Sequence, residues 1–153
     1  MRLFYFSNVI TILLCFALWL VFQVSAAVLC LNLPDKVFRP DAFFFRSHRW
    51  EQNGRVYDKI FLVKRWKHLL PDGGAVWKKK GYQKKTLTDF SEQNLNRFLV
   101  ESARGESSHW LAILPFWVFG LFAPPEVIWI MLAYALAVNV PCIIAQRYNR
   151  PRI

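Results

Sequence analysis

Three residues whose side chains could take part in catalysis stand at the start of an apolar stretch in the last third of the chain. Glu106, His109 and Trp110 precede or begin residues 109–122, which are otherwise mostly apolar. A glutamate three residues before a histidine lies on the same helical face, where its carboxylate can orient the imidazole ring. Histidine is also the commonest general base. The spacing predicts that His109 acts as a general base and that Glu106 assists it.

A second pair of the same kind is His68 with Asp72, separated by the proline of a Pro-Asp-Gly-Gly turn. This pair could bind a polar substrate or share the proton transfer, and the neighbouring Lys67 is a candidate for binding substrate or donor. For both pairs the alternative is a surface histidine near an acid, since such spacings are common by chance.

Polar residues also crowd the end of the last apolar block, in the order Gln146, Arg147, Asn149 and Arg150. Arginine and amide groups suit the phosphates of a donor or a carbonyl oxygen that becomes negative. Arginines just past a membrane helix are also what topology alone predicts. Gln146 and Asn149 are not explained in that way, so they favour a binding role, as does Trp110 at the other boundary.

Covalent and metal catalysis find little support in the sequence. The Gly-x-Ser-x-Gly elbow is absent, and Cys15, Cys30 and Cys142 all lie in or beside apolar runs. Three cysteines without a Cys-x-x-Cys motif predict neither a disulfide framework nor a zinc site. A reaction without a covalent enzyme intermediate is therefore favoured, with no metal and no bound cofactor.

The composition indicates the class of protein that must position these polar residues. Hydrophobic residues make up 55% of the 153 residues, aromatics 17%, and the formal net charge is +10. An apolar and basic chain is typical of a membrane protein whose positive surface meets anionic headgroups or phosphorylated ligands. Nucleic-acid binding is disfavoured, because no helix-turn-helix, zinc-finger or RNA-stacking motif is present.

Three apolar blocks predict an all-α integral membrane protein with about three transmembrane helices. Residues 3–31 and 127–145 are long enough to cross a bilayer, which needs about 20 residues. The first block is too long for a typical signal peptide, although Val24-Ser25-Ala26 leaves cleavage as an alternative. Residues 109–122 contain Pro115, and they span only if the helix continues back into 100–108; otherwise they are re-entrant.

Lysine and arginine counts predict the orientation of a single membrane domain over residues 1–153. Residues 31–106 hold sixteen Lys and Arg against nine Asp and Glu, whereas the turn at 123–126 has no Lys or Arg. The positive-inside rule predicts that the central segment and the C-terminus lie in the cytoplasm. The expected parts are a first helix at 3–31, a basic and aromatic segment at 32–106, a helical hairpin at 107–146 and a tail at 147–153.

The central segment contains too many aromatics for a solvated linker. Residues 57–70 and 89–104 are predicted to be amphipathic helices, which lie on the cytoplasmic leaflet or pack on each other. Five lysines between positions 78 and 85 suit anionic lipids, or equally the phosphates of a nucleotide-linked acyl donor.

Four segments, taken in order, resemble one family. They are LPDKVFR (33–39), KRWKHLLPDG (64–73), the E-x-x-H-W of 106–110, and VNVP followed by QRYNRPR (138–152). Their order and spacing are similar to the glycosyl-diaponeurosporenoate acyltransferases, small bacterial membrane enzymes that complete a yellow-orange carotenoid pigment.

The resemblance implies transfer of a fatty acyl group, from acyl-coenzyme A or an acyl-carrier protein, to a sugar hydroxyl of a glycosylated carotenoid or related glycolipid. The implied partners are this lipid-linked sugar, anionic membrane lipids and other enzymes of the pigment pathway. The alternative is a non-catalytic membrane scaffold or lipid-binding module, which should tolerate replacement of His109 and His68 by alanine.

Overall fold

The computed structural model describes residues 2–70 and 90–153, which form helices, turns and loops with no β-strand among them. The α-helices are α1 (Asn8–Asn32), α2 (Arg55–Phe61), α3 (Val63–Trp66), α4 (Glu92–Ile113) and α5 (Pro125–Asn149). Short 3₁₀ helices occupy Asp35–Val37, Arg49–Glu51, Lys67–Leu69, Leu114–Leu121 and Arg150–Arg152. The all-helical prediction is thus confirmed for the described part of the chain.

Helix α1 is set by its apolar run and by polar groups at both ends. The hydroxyl of Ser7 accepts a hydrogen bond from the Ile10 amide at 3.5 Å and caps the start. The last turn contains no basic residue of its own. Arg104 from α4 instead donates to the carbonyls of Cys30 and Leu33, where a cation is favourable for the helix dipole.

Helix α4 joins two segments that the sequence pattern treated separately. The hydroxyl of Ser91 accepts from the Asn94 amide at 3.4 Å at its start, and the helix then continues without a break to Ile113. The predicted helix at 89–104 therefore extends through the start of the second apolar block. No proline interrupts it before Pro115, which lies in the following 3₁₀ helix.

The chain reverses direction at residues 122–124, between the 3₁₀ helix and α5. The Leu3 and Phe4 amides donate to the Leu121 carbonyl at 2.8 and 3.0 Å, so the start of α1 lies beside this turn. Helices α1 and α5 therefore begin at the same end of the molecule. Helix α4 runs in the opposite direction and packs against both.

The main apolar core lies between these three helices and the 3₁₀ segment. Trp19 packs against Phe119 with ring centroids 6.0 Å apart and edge-on against Tyr134 at 5.3 Å. The buried members of this core are Cys15, Trp19, Ile113, Phe119, Phe122, Ala123, Ala135 and Ile143.

Two helices, α1 and the continuous stretch Pro125–Arg152, are long and apolar enough to cross a membrane. Only 17% and 22% of their most apolar windows are buried inside the protein, whereas the core helix of a soluble protein would be mostly covered. Their exposed apolar faces suggest membrane association. The expected count of about three spans is not confirmed, because residues 109–122 form the end of α4 and a 3₁₀ helix.

The central segment packs on the end of α5. Tyr57 and Val63 contact Ile144 and Tyr148 in a small buried cluster. The single helix predicted at 57–70 is wrong: it divides at Leu62, whose φ of 52° lies in the left-handed region. The predicted roles of Asp72 and of the lysines between 78 and 85 fall outside the described residues.

Candidate active site

A buried ion pair connects α4 to α5 at the end where α5 finishes. Glu106 is 0% exposed. Its Oε1 accepts from Arg147 Nε and its Oε2 from Arg150 Nη2, both at 2.7 Å. Arg147 lies in the last turn of α5, and Arg150 directly follows the end of that helix; both side chains reach α4.

A second buried glutamate brings the central segment into the same group of charges. Glu51, also 0% exposed, accepts from the Tyr57 hydroxyl at 2.7 Å and from Arg147 Nη1 at 3.2 Å. Its other oxygen accepts from the His48 amide at 3.0 Å. We call Glu51, Glu106, Arg147 and Arg150 the buried charge cluster. Two negative and two positive groups balance, which offsets part of the cost of removing them from water.

The same arginines also hold the loop before Glu51. Arg147 Nη2 donates to the Phe44 carbonyl, and Arg150 Nη1 donates to the Phe45 carbonyl at 2.6 Å. Beside them, the Ser102 hydroxyl donates to Gln146 at 3.0 Å. The structure thus brings together Gln146, Arg147 and Arg150 as sequence reasoning expected, but it gives them protein partners; their role in binding a donor stays a prediction.

The buried charge cluster affects the pKa of Tyr57. Burial raises the pKa of its hydroxyl above the ordinary value, and the hydrogen bond to Glu51 raises it further. Tyr57 therefore remains a donor to Glu51 at any neutral pH. This hydrogen bond keeps the Glu51 carboxylate oriented toward Arg147.

His109 lies in a second polar group, deeper between the helices. Its Nδ1 is 2.9 Å from Oδ1 of Asn139 on α5, and Gln23 Nε2 on α1 donates to the same oxygen at 3.2 Å. Asn139 is 0% exposed. We call Gln23, His109 and Asn139 the histidine–amide cluster. Asn139 precedes Arg147 by eight residues, about 12 Å of helix, so the two clusters form separate layers.

The proposed pairing of Glu106 with His109 must be reconsidered in light of these contacts. Both oxygens of Glu106 accept from arginines, and its Oε1 also lies within 3.4 Å of Trp110 Nε1. The Nδ1 atom of His109 is held by Asn139. Glu106 and His109 do share helix α4, but the structure provides an amide where the sequence predicted an orienting carboxylate.

The remaining predicted residues lie near the end of α5. Lys67 Nζ donates to Asn149 Oδ1 at 2.9 Å and stands 4.8 Å from the centre of the Tyr148 ring. Burial, together with the positive charge of Arg152, lowers the pKa of Lys67. His68 is exposed in the adjacent 3₁₀ turn. Lys67 and Asn149 are therefore brought together, while Asp72 falls outside the described residues.

Sequence reasoning missed three residues of the two clusters, Gln23, Glu51 and Asn139, and also Tyr57, which donates to Glu51. Gln23 and Asn139 are isolated amides inside apolar helices, and polar groups at such positions are expected to be functional. That signal could have identified both. Glu51 lies outside the predicted helices, and Tyr57 begins the predicted helix at 57–70, so neither was distinguished as a partner of the charged residues.

Comparison with known proteins identifies the family. The family model described as glycosyl-4,4'-diaponeurosporenoate acyltransferase matches residues 40–153. Proteins of that name from Staphylococcus aureus strains bovine RF122 / ET3-1 and USA300 are each 36% identical over 143 residues, which cover 94% of this chain and 86% of the relative. No solved structure matches. The matched region includes every predicted site residue, and the chain belongs to the glycosyl-4,4'-diaponeurosporenoate acyltransferase family and is an acyltransferase.

Proposed function

We propose that this protein is a membrane-bound O-acyltransferase, which transfers a fatty acyl group from an acyl thioester to a sugar hydroxyl of a glycosylated carotenoid or related glycolipid. Family membership supports the reaction, and the exposed apolar faces of α1 and α5 support the membrane location. The observation that carries the mechanism is His109, whose imidazole is held by Asn139 between α4 and α5.

In the proposed reaction the imidazole of His109 accepts the proton of the sugar hydroxyl as its oxygen bonds to the thioester carbonyl carbon. General-base assistance of this kind is worth about 10²–10⁴-fold in rate. The carbon–sulfur bond then breaks, and the imidazolium returns the proton to the leaving thiolate. The products are a sugar ester and a free thiol, so no other reactant is required. The thiol belongs to coenzyme A or to an acyl-carrier protein.

Transfer proceeds in one displacement, without an acyl-enzyme. Cys15 and Cys30 are buried among apolar neighbours in α1, and such surroundings do not favour a thiolate. Cys142 lies within 3.8 Å of the Val138 carbonyl on the apolar helix α5. An acyl-cysteine or acyl-serine trapped on this protein and found by mass spectrometry would contradict the single-displacement mechanism.

The charged residues around the histidine have supporting roles in this proposal. Glu106, with Arg147 and Arg150, holds α4 against α5 and so fixes the position of His109. Lys67 and Asn149, with His68 beside them, lie at the cytoplasmic end, where they bind the sugar or the phosphates of the donor. The ammonium group of Lys67 suits phosphate groups.

The test of the proposed function is replacement of His109 by alanine. His109→Ala should lower acylation by about 10²–10⁴-fold while the protein still accumulates in the membrane, because it removes the base and little packing. Unacylated glycosylated substrate should build up, as measured by chromatography of pigment extracts.

His48→Ala is the matched control. His48 stacks on Trp50 with ring centroids 6.5 Å apart. Its side chain is a member of neither the buried charge cluster nor the histidine–amide cluster. His48→Ala should retain near wild-type turnover. If His109→Ala retains more than about a tenth of wild-type turnover, the base lies elsewhere and His68 is the next residue to test.

A further inference from the structure

The side-chain amide of Asn139 can be oriented from its contacts alone. Its Nδ2 donates to the Ala135 carbonyl at 3.0 Å, one helical turn earlier. A carbonyl oxygen accepts hydrogen bonds and cannot donate, so the nitrogen of the amide must face Ala135. The amide oxygen therefore points away from its own helix, toward His109 and Gln23.

Gln23 on α1 agrees with this orientation. Its Nε2 donates to the same Asn139 oxygen at 3.2 Å, although the two residues are 116 positions apart in the chain. If the Asn139 amide were rotated by half a turn, its Nδ2 would face Nε2 of Gln23, and its Oδ1 would face the Ala135 carbonyl oxygen. Three helices thus fix the oxygen of Asn139 as an acceptor.

An acceptor at this position determines which nitrogen of His109 carries the proton. The amide oxygen has no hydrogen, and it lies 2.9 Å from Nδ1. Nδ1 must therefore be the donor. A neutral imidazole has one N–H, so the lone pair that accepts a proton is on Nε2.

We propose that Asn139 is a positioning residue, which fixes His109 as its Nδ1–H tautomer and makes Nε2 the atom that accepts the hydroxyl proton. Gln23 supports it by holding the amide oxygen in place. This inference rests on the proposed function for its catalytic consequence. Serine hydrolases use a carboxylate for the same task. In an apolar bundle, a neutral amide orients the ring without the cost of burying a further charge.

The tautomer can be measured directly, without any activity assay. The chain has three histidines, so ¹⁵N-histidine labelling of the full protein in lipid bilayers gives few signals, and His109→Gln assigns the relevant pair. Nitrogen chemical shifts at alkaline pH should show a protonated Nδ1 and an unprotonated Nε2. In Asn139→Leu this preference should be lost. A wild-type His109 with its proton on Nε2 would overturn the proposal.

Asn32→Leu is a matched control for the measurement. Asn32 makes the same type of back bond, from its Nδ2 to the Val28 carbonyl at 2.8 Å, at the far end of α1. Its replacement should change neither the tautomer of His109 nor the turnover. If Asn32→Leu and Asn139→Leu behave alike, Asn139 has no positioning role.

Turnover separates positioning from a merely structural role. Asn139→Leu should lose roughly 10²-fold in kcat, which is typical when a catalytic group is misplaced. Asn139→Asp keeps an acceptor beside Nδ1, so it should recover part of that loss. Its carboxylate stabilises the imidazolium, which moves the acid limb of the pH–rate profile to higher pH. A structural role predicts no such movement.

The outcomes distinguish the two proposals. If His109→Ala remains active but the wild-type ring carries its proton on Nδ1, the proposed base is wrong and the tautomer assignment stands. If His109→Ala is inactive but Asn139→Asp leaves the acid limb unmoved, the base is correct and Asn139 does not act on it. Should Asn139→Leu fail to accumulate, the aspartate variant and the wild-type shifts decide the question.

Discussion

The negative charge of Glu106 lies beside two positively charged arginines whose side chains are mostly buried. The Arg147 and Arg150 side chains are 14% and 4% exposed, and each lies 2.7 Å from a different oxygen of Glu106. Removing one partner of a buried pair leaves an uncompensated charge, which costs much more than the pair contributes. At this residue the main consequence of substitution should therefore be on stability.

We expect Glu106→Gln to destabilise the protein by about 3–5 kcal/mol, because Arg147 would keep only its ion pair with Glu51 and Arg150 would lose its carboxylate partner. Thermal unfolding in detergent and the amount of protein in the membrane both report this loss. Glu92→Gln is the control, since it makes the same change at an exposed position of α4. A variant with normal stability and low turnover would instead favour a direct role for Glu106 in orienting His109.

Residues of the site could be predicted where a polar or charged side chain stands beside an apolar run of the sequence. His109 and the polar group at 146–150 stand out beside apolar runs, and the structure brings most of them to one end of the bundle. Their partners could not be predicted, because Glu51 lies 96 residues from Arg147. A single sequence contains no information on such pairs without a model of the fold.

At the scale of elements, Arg104 joins the end of α1 to the middle of α4. Its guanidinium donates to two carbonyls of the last turn of α1, forms an ion pair with Asp35 and stands 4.6 Å from the centre of the Phe38 ring. Since α1 has no basic residue in its last turn, this cation comes from another helix. Helix α4 thereby fixes where α1 ends.

Arg104→Met keeps the length of the side chain and removes its donors. We expect a loss of about 1–3 kcal/mol for each carbonyl left without a partner. Hydrogen exchange of the amides around Asn32 should accelerate, and the melting temperature should fall. Arg97 is at an exposed position on the same helix, and Arg97→Met should change the exchange rates and the melting temperature little. Unchanged exchange in Arg104→Met would mean that α1 ends without help from α4.

The elements themselves were predicted with unequal success, for physical reasons. Apolar length alone identifies α1 and α5. For α4, a helix continuing from 100–108 into the second apolar block was one of two alternatives, and the sequence did not decide between them because the first part of the helix is polar and its last part is apolar. The break between α2 and α3 was missed because Leu62, a non-glycine residue at positive φ, has no recognisable signature.

At the scale of the whole molecule, the charged and apolar parts lie at opposite ends. The starts of α1 and α5 meet at the turn near Leu121, which carries no basic residue. The buried charge cluster and the basic tail lie at the other end. With the positive-inside rule, this polarity predicts that the central segment and the C-terminus lie in the cytoplasm and the turn lies outside.

Reporter fusions test this orientation. A reporter after Arg152 should read cytoplasmic, and one inserted at 123–126 should read external, because helices α1 and α5 then cross in the same direction. A fusion after Arg104 provides the internal control and should agree with the C-terminus. A cytoplasmic signal from the turn would show that α4, the 3₁₀ helix and α5 form a re-entrant hairpin.

The hydrogen bond between Gln23 and Asn139 has a consequence for how the protein is made. In the proposed topology α1 enters the membrane first, carrying a polar amide whose partner is 116 residues away and not yet synthesised. At a translation rate of about 5–20 residues per second, the ribosome needs roughly 6–23 s to reach Asn139. During that interval the insertion machinery, lipid headgroups or water must satisfy Gln23. The first helix therefore enters the membrane with a hydrogen-bonding group whose partner within the protein arrives only with the last helix.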